Sequence, residues 1–318
     1  MKKIVIILTA AIVFANTVIA SEAKIKWVEF NVTAKVMERA SETDIETYKT
    51  GCHKDWISLI ALMACENGND FSNSTEADVD KVTQRYEELI AKWKDKKIFR
   101  YYHESYSAAL GGLLGKGVRA ETNDDGSVTL NDQYGICAFS PIAGGYGYSH
   151  YDDFGASRSF GYRRRHLGHD LMCDTGTPVI AIESGYVETC GWNIYGGWRI
   201  GIRSFDSNRY YYYAHLRKGH PYCDVYVGKT VAAGEVIGYA GMTGYSSKED
   251  TNNINVPHLH LGEELIFSPE QKDGYCQIWI DMYEITKFLE CRRAEVGYSD
   301  AEGEIISKTT VQGPGFPD

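Results

Sequence analysis

The feature that most constrains the fold is a series of short β-prone segments, separated by glycine, between Cys137 and Phe267. Strands of this length with turn residues at regular intervals are typical of all-β sandwiches and barrels. The predicted strands are 177–183, 186–190, 198–203, 210–216, 236–239 and 256–265. The sequence therefore predicts an antiparallel, barrel-like β domain in this part of the chain.

The residues before this domain have a helical pattern. From Lys24 to about Lys97 glycine and proline are scarce, and apolar residues recur at helical spacing. The predicted helices are 33–49, 56–65, 75–93 and a shorter one within 101–114. A β-hairpin is predicted around the Asp-Gly turn of Asn123–Ser127, because this dipeptide separates two short β-prone runs.

The fold class predicted from these patterns is α+β. Composition changes near Tyr134 to glycine-rich and aromatic-rich sequence, and we place a domain boundary there. The predicted organisation is a helical N-terminal region at 24–133, a β domain at 134–292 with a closing helix at 278–291, and a flexible tail at 293–318. The tail is predicted from its polar composition and its Gly-Pro-Gly sequence.

The first residues resemble a secretory signal. Met1-Lys-Lys precedes an apolar run from Ile4 to Ala20, and small residues follow that suit a cleavage site. We therefore predict a signal peptide at 1–23 and a secreted or cell-envelope location. The alternative is an uncleaved anchor, because the run is only slightly shorter than the ~20 residues of a membrane span. Membrane attachment is expected only in that case.

The net charge and the cysteine content indicate which partners and which cysteine chemistry are expected. The formal net charge is −10, so nucleic acid and other polyanions are not expected as partners. Eight cysteines are an even number, which permits disulfides in an exported chain without requiring them. No C-x-x-C pair occurs, which disfavours a cysteine zinc site.

Two short strings, His166–Asp170 and Pro257–His260, contain four of the nine histidines. On a β-strand the two-residue spacing of His258 and His260 places both side chains on one face, and the leucines between and after them on the other. Imidazole and carboxylate groups are common zinc ligands in proteins. The strings therefore predict a metal site with one face of the strand in contact with the core.

A further histidine lies near the end of the predicted strand 210–216. Strand alternation places His215 on one face with Tyr211 and Tyr213. Ala214 and Leu216 would then lie on the opposite face. This alternation is expected to direct His215 toward the same cleft as the two histidine strings.

Three motifs in this order resemble those of the lysostaphin-type (LytM-like) zinc endopeptidases. They are H-x-x-x-D at His166–Asp170, Y-x-H-L at Tyr213–Leu216 and H-x-H at His258–His260. Surrounding segments also resemble the family: Phe139–Ile142, Gly176–Val179, Gly185–Val187, Gly228–Gly238 and Gly241–Gly244. The resemblance covers about 139–267, and three spaced motifs in the family's order are more specific than any one alone.

The resemblance implies a role for each of five residues. His166, Asp170 and His260 would bind one Zn²⁺ per chain and leave a fourth position for water or the substrate carbonyl. His215 and His258 would lie beside the ion, where they transfer protons and stabilise the oxyanion.

Two residues near the first string stay outside this assignment. His169 occupies a position that is not a ligand in the family, and we expect it not to bind metal. Arg165 could contact a substrate carboxylate or pair with a local acid, and the sequence leaves both alternatives open.

The implied activity is hydrolysis of peptide bonds in the cross-links of bacterial peptidoglycan, by zinc-activated water acting on the scissile carbonyl. The expected partners are the stem or bridge peptides of the wall. The alternative is a non-catalytic envelope scaffold or an activator of another wall hydrolase. Retention of all five site residues favours the enzyme.

Overall fold

A computed structural model describes residues 26–28, 30–123, 125–161, 163–268, 271, 276–298 and 304–317. The predicted signal peptide lies outside the described residues. Within these ranges no helix combines the length and the apolar character that a membrane crossing requires.

Five helices follow the first strand, and the predicted α+β class is confirmed. They are α1 (Ala34–Thr47), α2 (Trp56–Asn67), α3 (Glu76–Gln84), α4 (Tyr86–Trp93) and α5 (Lys97–Leu110). Helix α2 is apolar on nearly all sides, and it packs against each of the other four. The Asp55 side chain accepts hydrogen bonds from the first turn of α2, and Gly68, in the left-handed region with φ +69°, ends the helix.

The predicted helix at 75–93 is two helices in the structure. A capping box of Thr75 and Asp78 starts α3. Arg85, with φ −102° and ψ 14°, then separates α3 from α4. The apolar spacing predicted the buried face correctly. The break between the two helices leaves the apolar side chains on both sides of it facing the core.

Helix α5 leads into the predicted hairpin, which consists of β2 (Leu114–Thr122) and β3 (Val128–Ile136). The C-terminal residues, which we expected to be a flexible tail, also form strands: β16 (Val296–Tyr298), β17 (Ile305–Ser307) and β18 (Thr309–Gln312). Strand β18 pairs with β2, and its Val311 is fully buried and bridges to Ala233. The polar composition of this segment concealed the pairing, because one inward side chain and backbone hydrogen bonds suffice to anchor the strand.

A nine-stranded sheet carries the site. Its strands are β1 (Lys26–Val28), β4 (Tyr148–Tyr151), β7 (His169–Cys173), β9 (Gly185–Asn193), β10 (Gly197–Ser204), β11 (Arg209–Ala214), β12 (Thr230–Val231), β14 (His258–Leu265) and β15 (Ile278–Ile280). The order is β1-β15-β14-β11-β10-β9-β12, with β7 also paired to β14 and β4 to β7. Every pairing is antiparallel except that of β1 with β15.

Smaller pairs flank this sheet. They are β5 (Ser157–Arg158) with β6 (Arg164–Arg165), and β8 (Pro178–Ile180) with β13 (Val236–Tyr239). The predicted closing helix at 278–291 is shorter than expected, since its first residues form β15 and only Tyr283–Phe288 form helix α6. The Ile-Trp-Ile sequence of β15 suits a strand, and it finds a partner in β14.

The helical region and the sheet share one hydrophobic core, and a buried ion pair connects them. The Arg209 guanidinium binds both carboxylate oxygens of Glu183 at 2.8 and 2.9 Å. It also donates to the carbonyl of Ala108, in the last turn of α5, at 2.9 Å. The cation thus satisfies a carbonyl at a helix C-terminus, where positive charge is favourable. Loss of one partner of such a buried pair typically costs about 3–5 kcal/mol.

All eight cysteines lie among the described residues, and each is a free thiol. The disulfides that the even cysteine count permits are therefore not formed in this structure.

Candidate metal centre

Strand β14 is the centre of the site because it is paired on both sides. In the register of the sheet His260 lies opposite Asp170 of β7 on one side and Ala214 of β11 on the other. Leu259 and Leu261 are fully buried on the opposite face. The predicted alternation of the H-x-H string is confirmed, with histidines on one face and leucines in the core.

Three side chains from the two strings converge on this face. The Oδ1 atom of Asp170 lies 3.1 Å from Nε2 of His166 and 3.0 Å from Nδ1 of His260. The two imidazole nitrogens are 2.9 Å apart. In the part of the chain that the structure describes, this is the one group of three or more His, Cys, Asp or Glu side chains arranged to hold a metal ion.

These distances suit a tetrahedral cation. With metal–ligand bonds of about 2.0–2.1 Å, the ligand atoms of a tetrahedral site lie about 3.3 Å from one another. The three observed separations are close to this value. Two nitrogen donors and one carboxylate oxygen, with a fourth position open, are a donor set that zinc accepts. The residues present therefore fit a zinc ion.

The electrostatics of the three groups are strongly coupled. Burial alone would lower the pKa of His166, but hydrogen bonds to Asp153 and Asp170 raise it to about 9. Burial would raise the pKa of Asp170, yet hydrogen bonds from His166 and His260 hold it far below its usual range. Asp170 is therefore a carboxylate at neutral pH, as a metal ligand must be.

Gly168 is required by the packing of the site. A Cβ atom at this position would lie 2.5 Å from Cε1 of His260 and 2.6 Å from the carbonyl oxygen of Leu261. Both separations are shorter than van der Waals contact. The first histidine string can approach β14 only because this residue has no side chain.

His215 reaches the cleft by a route that differs from the expectation. Tyr211 and Tyr213 are fully buried on the core face of β11, so the prediction that His215 shares their face is wrong. The strand ends at residue 214, and His215 has a left-handed backbone with φ +59°. Its ring centroid lies 4.9 Å from that of His258 and 5.7 Å from that of His260. The turn of the backbone, rather than strand alternation, brings His215 into the site.

The hydrogen bonds of the two outer histidines determine their tautomers. Nδ1 of His215 is 2.8 Å from the carbonyl oxygen of Thr243, and Nδ1 of His258 is 2.8 Å from that of Val256. Because a carbonyl only accepts, each Nδ1 carries the proton and each neutral ring has a lone pair on Nε2. Burial, followed by the neighbouring His258, holds the pKa of His215 well below its usual value. Nε2 of His258 lies 3.7 Å from Oδ1 of Asp170, beside the convergent donors.

His169 lies on the other face of β7, opposite Leu261 in the sheet register. It is fully buried, and its Nε2 is 2.8 Å from Nδ1 of His150. The structure therefore places His169 outside the group of convergent donors. Arg165 donates a hydrogen bond to the carbonyl of Gly155 at 2.8 Å.

Two residues of the site were missed by sequence reasoning. Nδ1 of His166 lies 2.8 Å from Oδ1 of Asp153 and 3.3 Å from the carbonyl oxygen of the same residue, which leaves Nε2 of that ring directed at the donor group. Arg158 donates to Asp153 and, at 3.3 Å, to Oδ2 of Asp170. Asp153 follows β4 in a loop, and its only signal in the sequence is an Asp-Asp pair close before the first string.

Replacement of Asp153 by asparagine is expected to weaken zinc binding by about 10–100-fold, because the candidate ligand His166 loses the negative charge beside its Nδ1. The affinity is measured by competition with a coloured chelator. The exposed neighbour Asp152 provides a matched control, since Asp152→Asn makes the same change one residue away. Equal affinities of Asp153→Asn and Asp152→Asn would contradict the positioning role.

Comparison with known proteins gives a family match over the part of the chain that holds the site. Residues 164–265 match the model of peptidase family M23. The chain is 42% identical over 118 residues to the L-Ala–D-Glu endopeptidase of Bacillus subtilis strain 168, which covers 36% of this chain and 34% of that protein. It is 41% identical over 97 residues to lysostaphin of Staphylococcus staphylolyticus, which covers 30% of this chain and 18% of that protein. The matched segment thus spans a third or less of these relatives.

One solved structure resembles a larger share of the chain. It is a crystal structure of a Ruminococcus gnavus ATCC 29149 protein described as a glycyl-glycine endopeptidase lytM. The TM-score is 0.51 at 25% sequence identity, and the match covers 84% of this chain and 94% of that chain. The similarity therefore extends well beyond residues 164–265.

Proposed function

We propose that this chain, whose residues 164–265 match the model of peptidase family M23, is a zinc metalloendopeptidase that hydrolyses peptide bonds in the cross-linking peptides of bacterial peptidoglycan. The observation that carries the proposal is the convergence of His166, Asp170 and His260, with two further histidines beside them. Two of the known relatives that it matches are named L-Ala–D-Glu endopeptidase and lysostaphin.

In the proposed mechanism Nε2 of His166, Oδ1 of Asp170 and Nδ1 of His260 would hold one zinc ion. When bound, zinc supplies Lewis acidity and lowers the pKa of its water to about 7. The chain's own contribution is to keep Asp170 a carboxylate and, through the pairing of β7 with β14, to align Asp170 with His260.

The two outer histidines handle protons. The lone pair on Nε2 of His258 or His215 takes the proton of the attacking water, and the resulting imidazolium returns it to the leaving amine. The same positive charge, next to the developing oxyanion, lowers the barrier. Both rings are held by carbonyls at Nδ1, so the reactive nitrogen is directed at the cleft.

The proposed organisation follows from this assignment. Residues 134–292 form the catalytic domain, and the helices that precede it share its hydrophobic core. The enzyme acts outside the cytoplasm, where its substrate is, and export depends on the predicted signal at 1–23. Stem or bridge peptides of the wall are its partners.

The proposal is tested on the purified full chain. Elemental analysis is expected to give about one zinc per chain, and mass spectrometry of digested peptidoglycan is expected to give new amino and carboxyl ends within the cross-linking peptides. Stoichiometric zinc without any cleavage of wall or isolated peptides would overturn the enzymatic role and favour the scaffold alternative.

A further inference from the structure

The segment of residues 157–165, which contains the β5–β6 hairpin, has an unusual charge. It holds four arginines, at 158, 163, 164 and 165, and no acidic residue. The whole chain, in contrast, has a formal net charge of −10. A local positive surface beside the site would attract an anionic ligand that the rest of the molecule repels.

The Arg164 side chain is held in place by aromatic rings. Its guanidinium carbon lies 4.9 Å from the ring centroid of Tyr195 and 5.3 Å from that of Tyr245. Its Nη1 donates to the carbonyl of Phe160 at 3.0 Å. The Phe160 ring stacks on Tyr245 with centroids 4.8 Å apart. The guanidinium is therefore oriented before any ligand arrives.

The same aromatic group reaches the catalytic histidines. The Tyr245 ring centroid is 5.8 Å from that of His215. Together with the 5.3 Å from Arg164 to Tyr245, this places the guanidinium at most about 11 Å from the His215 ring. An extended peptide advances about 3.5 Å per residue. The Arg164 guanidinium and the His215 ring are therefore separated by no more than the length of about three residues of extended peptide.

The arginines of this segment differ in whether a carboxylate of the protein already pairs with them. Arg158 is occupied by Asp153 and Asp170. For Arg163 and Arg164, in contrast, no carboxylate among the described residues lies within 4 Å. A cavity of about 280 Å³ adjoins them, lined by Ser157, Arg163, Arg164 and Arg165. An arginine with free N–H donors at such a cavity is suited to bind a carboxylate with two hydrogen bonds.

We propose that Arg164, with Arg163 at the rim, binds a carboxylate of the substrate peptide within about three residues of the scissile bond. The inference rests on the proposed function and names its substrate class: an acidic stem peptide rather than a neutral glycine bridge. Arg164 is a specificity-determining residue in this assignment, and the aromatic rings of Tyr195 and Tyr245 position it.

The test compares two stem peptides that differ in one group. One has a free α-carboxylate on its glutamate, and the other has a carboxamide at that position; pentaglycine is the neutral reference. The zinc-loaded full chain is expected to cleave the carboxylate peptide with a kcat/KM at least about tenfold higher than the carboxamide peptide, as for one charge-assisted contact. In Arg164→Gln this ratio falls to near one, with cleavage of the carboxamide peptide retained.

Two further variants complete the design. Arg163→Gln is expected to lower the ratio at least threefold, and it keeps the proposal testable if Arg164→Gln does not fold, because Arg163 is exposed. Arg119→Gln is the matched control, since Arg119 lies on β2 and pairs with Glu121. It should leave the ratio unchanged.

The outcomes separate this inference from the proposed function. If the wild-type chain cleaves both stem peptides equally, or cleaves pentaglycine alone, the carboxylate site is overturned while the endopeptidase stands. If none of the peptides is cleaved, the proposed function itself fails. If the arginine variants lose binding to intact wall but keep the peptide ratio, the segment binds a wall polyanion instead, and the proposal is likewise overturned.

Discussion

Replacement of Asp170 by alanine is expected to abolish both zinc uptake and peptide hydrolysis. Asp170 contributes the only carboxylate oxygen of the donor group, and it lies within 3.1 Å of both imidazole donors. Without Asp170, only the two imidazole groups of the donor group would remain, and no negatively charged ligand would balance the charge of a Zn²⁺ ion. His260→Ala is expected to have the same consequence, since it removes the donor that β14 supplies.

The measurement is zinc content by elemental analysis after dialysis, together with hydrolysis of purified peptidoglycan. Asp174, an exposed aspartate in the turn after β7, provides the control, because Asp174→Ala makes the same change outside the site. Circular dichroism establishes that each variant is folded. Stoichiometric zinc in folded Asp170→Ala protein would show that the assigned ligand set is incorrect.

Substitution of either outer histidine is expected to give a different result, in which zinc is retained and turnover is lost. His258→Ala and His215→Ala should retain zinc, because neither ring belongs to the convergent donor group. Each should reduce turnover by about 10²–10⁴-fold, the usual contribution of a positioned general acid or base. Each substitution removes one of the two Nε2 lone pairs that lie beside the donor group.

His220 is the matched control for this pair. It is exposed and pairs with Glu304 at the surface, so His220→Ala should leave both zinc content and turnover unchanged. Full hydrolysis of purified wall by His258→Ala protein would remove that residue from the mechanism. Loss of zinc in either variant would instead place its ring among the ligands.

The helical region has a structural consequence for any shortened protein. Arg209 of the central sheet satisfies a carbonyl at the end of α5, and Gly112 just beyond α5 passes so close to Glu183 that a side chain there would overlap the carboxylate. Removal of the helices would therefore expose part of the shared core and leave this buried ion pair open to water. Substitutions in the full chain test the site more directly than truncation does.

Local periodicity was enough to predict much of this architecture. The capping box at Thr75, the Asp-Gly hairpin and the glycine-separated strands each depend on residues within a few positions of one another. The H-x-H string is of the same kind, because alternation along one strand decides which side chains share a face. The residues that determine such a feature lie within the feature itself.

Other features depend on partners that are distant in sequence. The C-terminal strand β18 exists because β2 and Ala233 offer hydrogen bonds on both sides, and polar composition alone predicted a tail. Asp153 acts on His166 only because the fold brings its loop beneath the ring. Both contacts join residues that are far apart in the sequence, so no periodic pattern in the sequence predicts them.

The sequence by itself singled out the residues that we propose carry the chemistry: His166, Asp170 and His260, with His215 and His258 nearby. Only the tertiary structure decided how they meet. The pairing of β14 with β7 and β11 sets His260 between Asp170 and the end of β11, and a left-handed backbone at residue 215 turns the last ring into the cleft. Strand alternation shows only which side chains of one strand share a face. Contacts across the whole sheet decide the register between strands and the turn at the end of a strand.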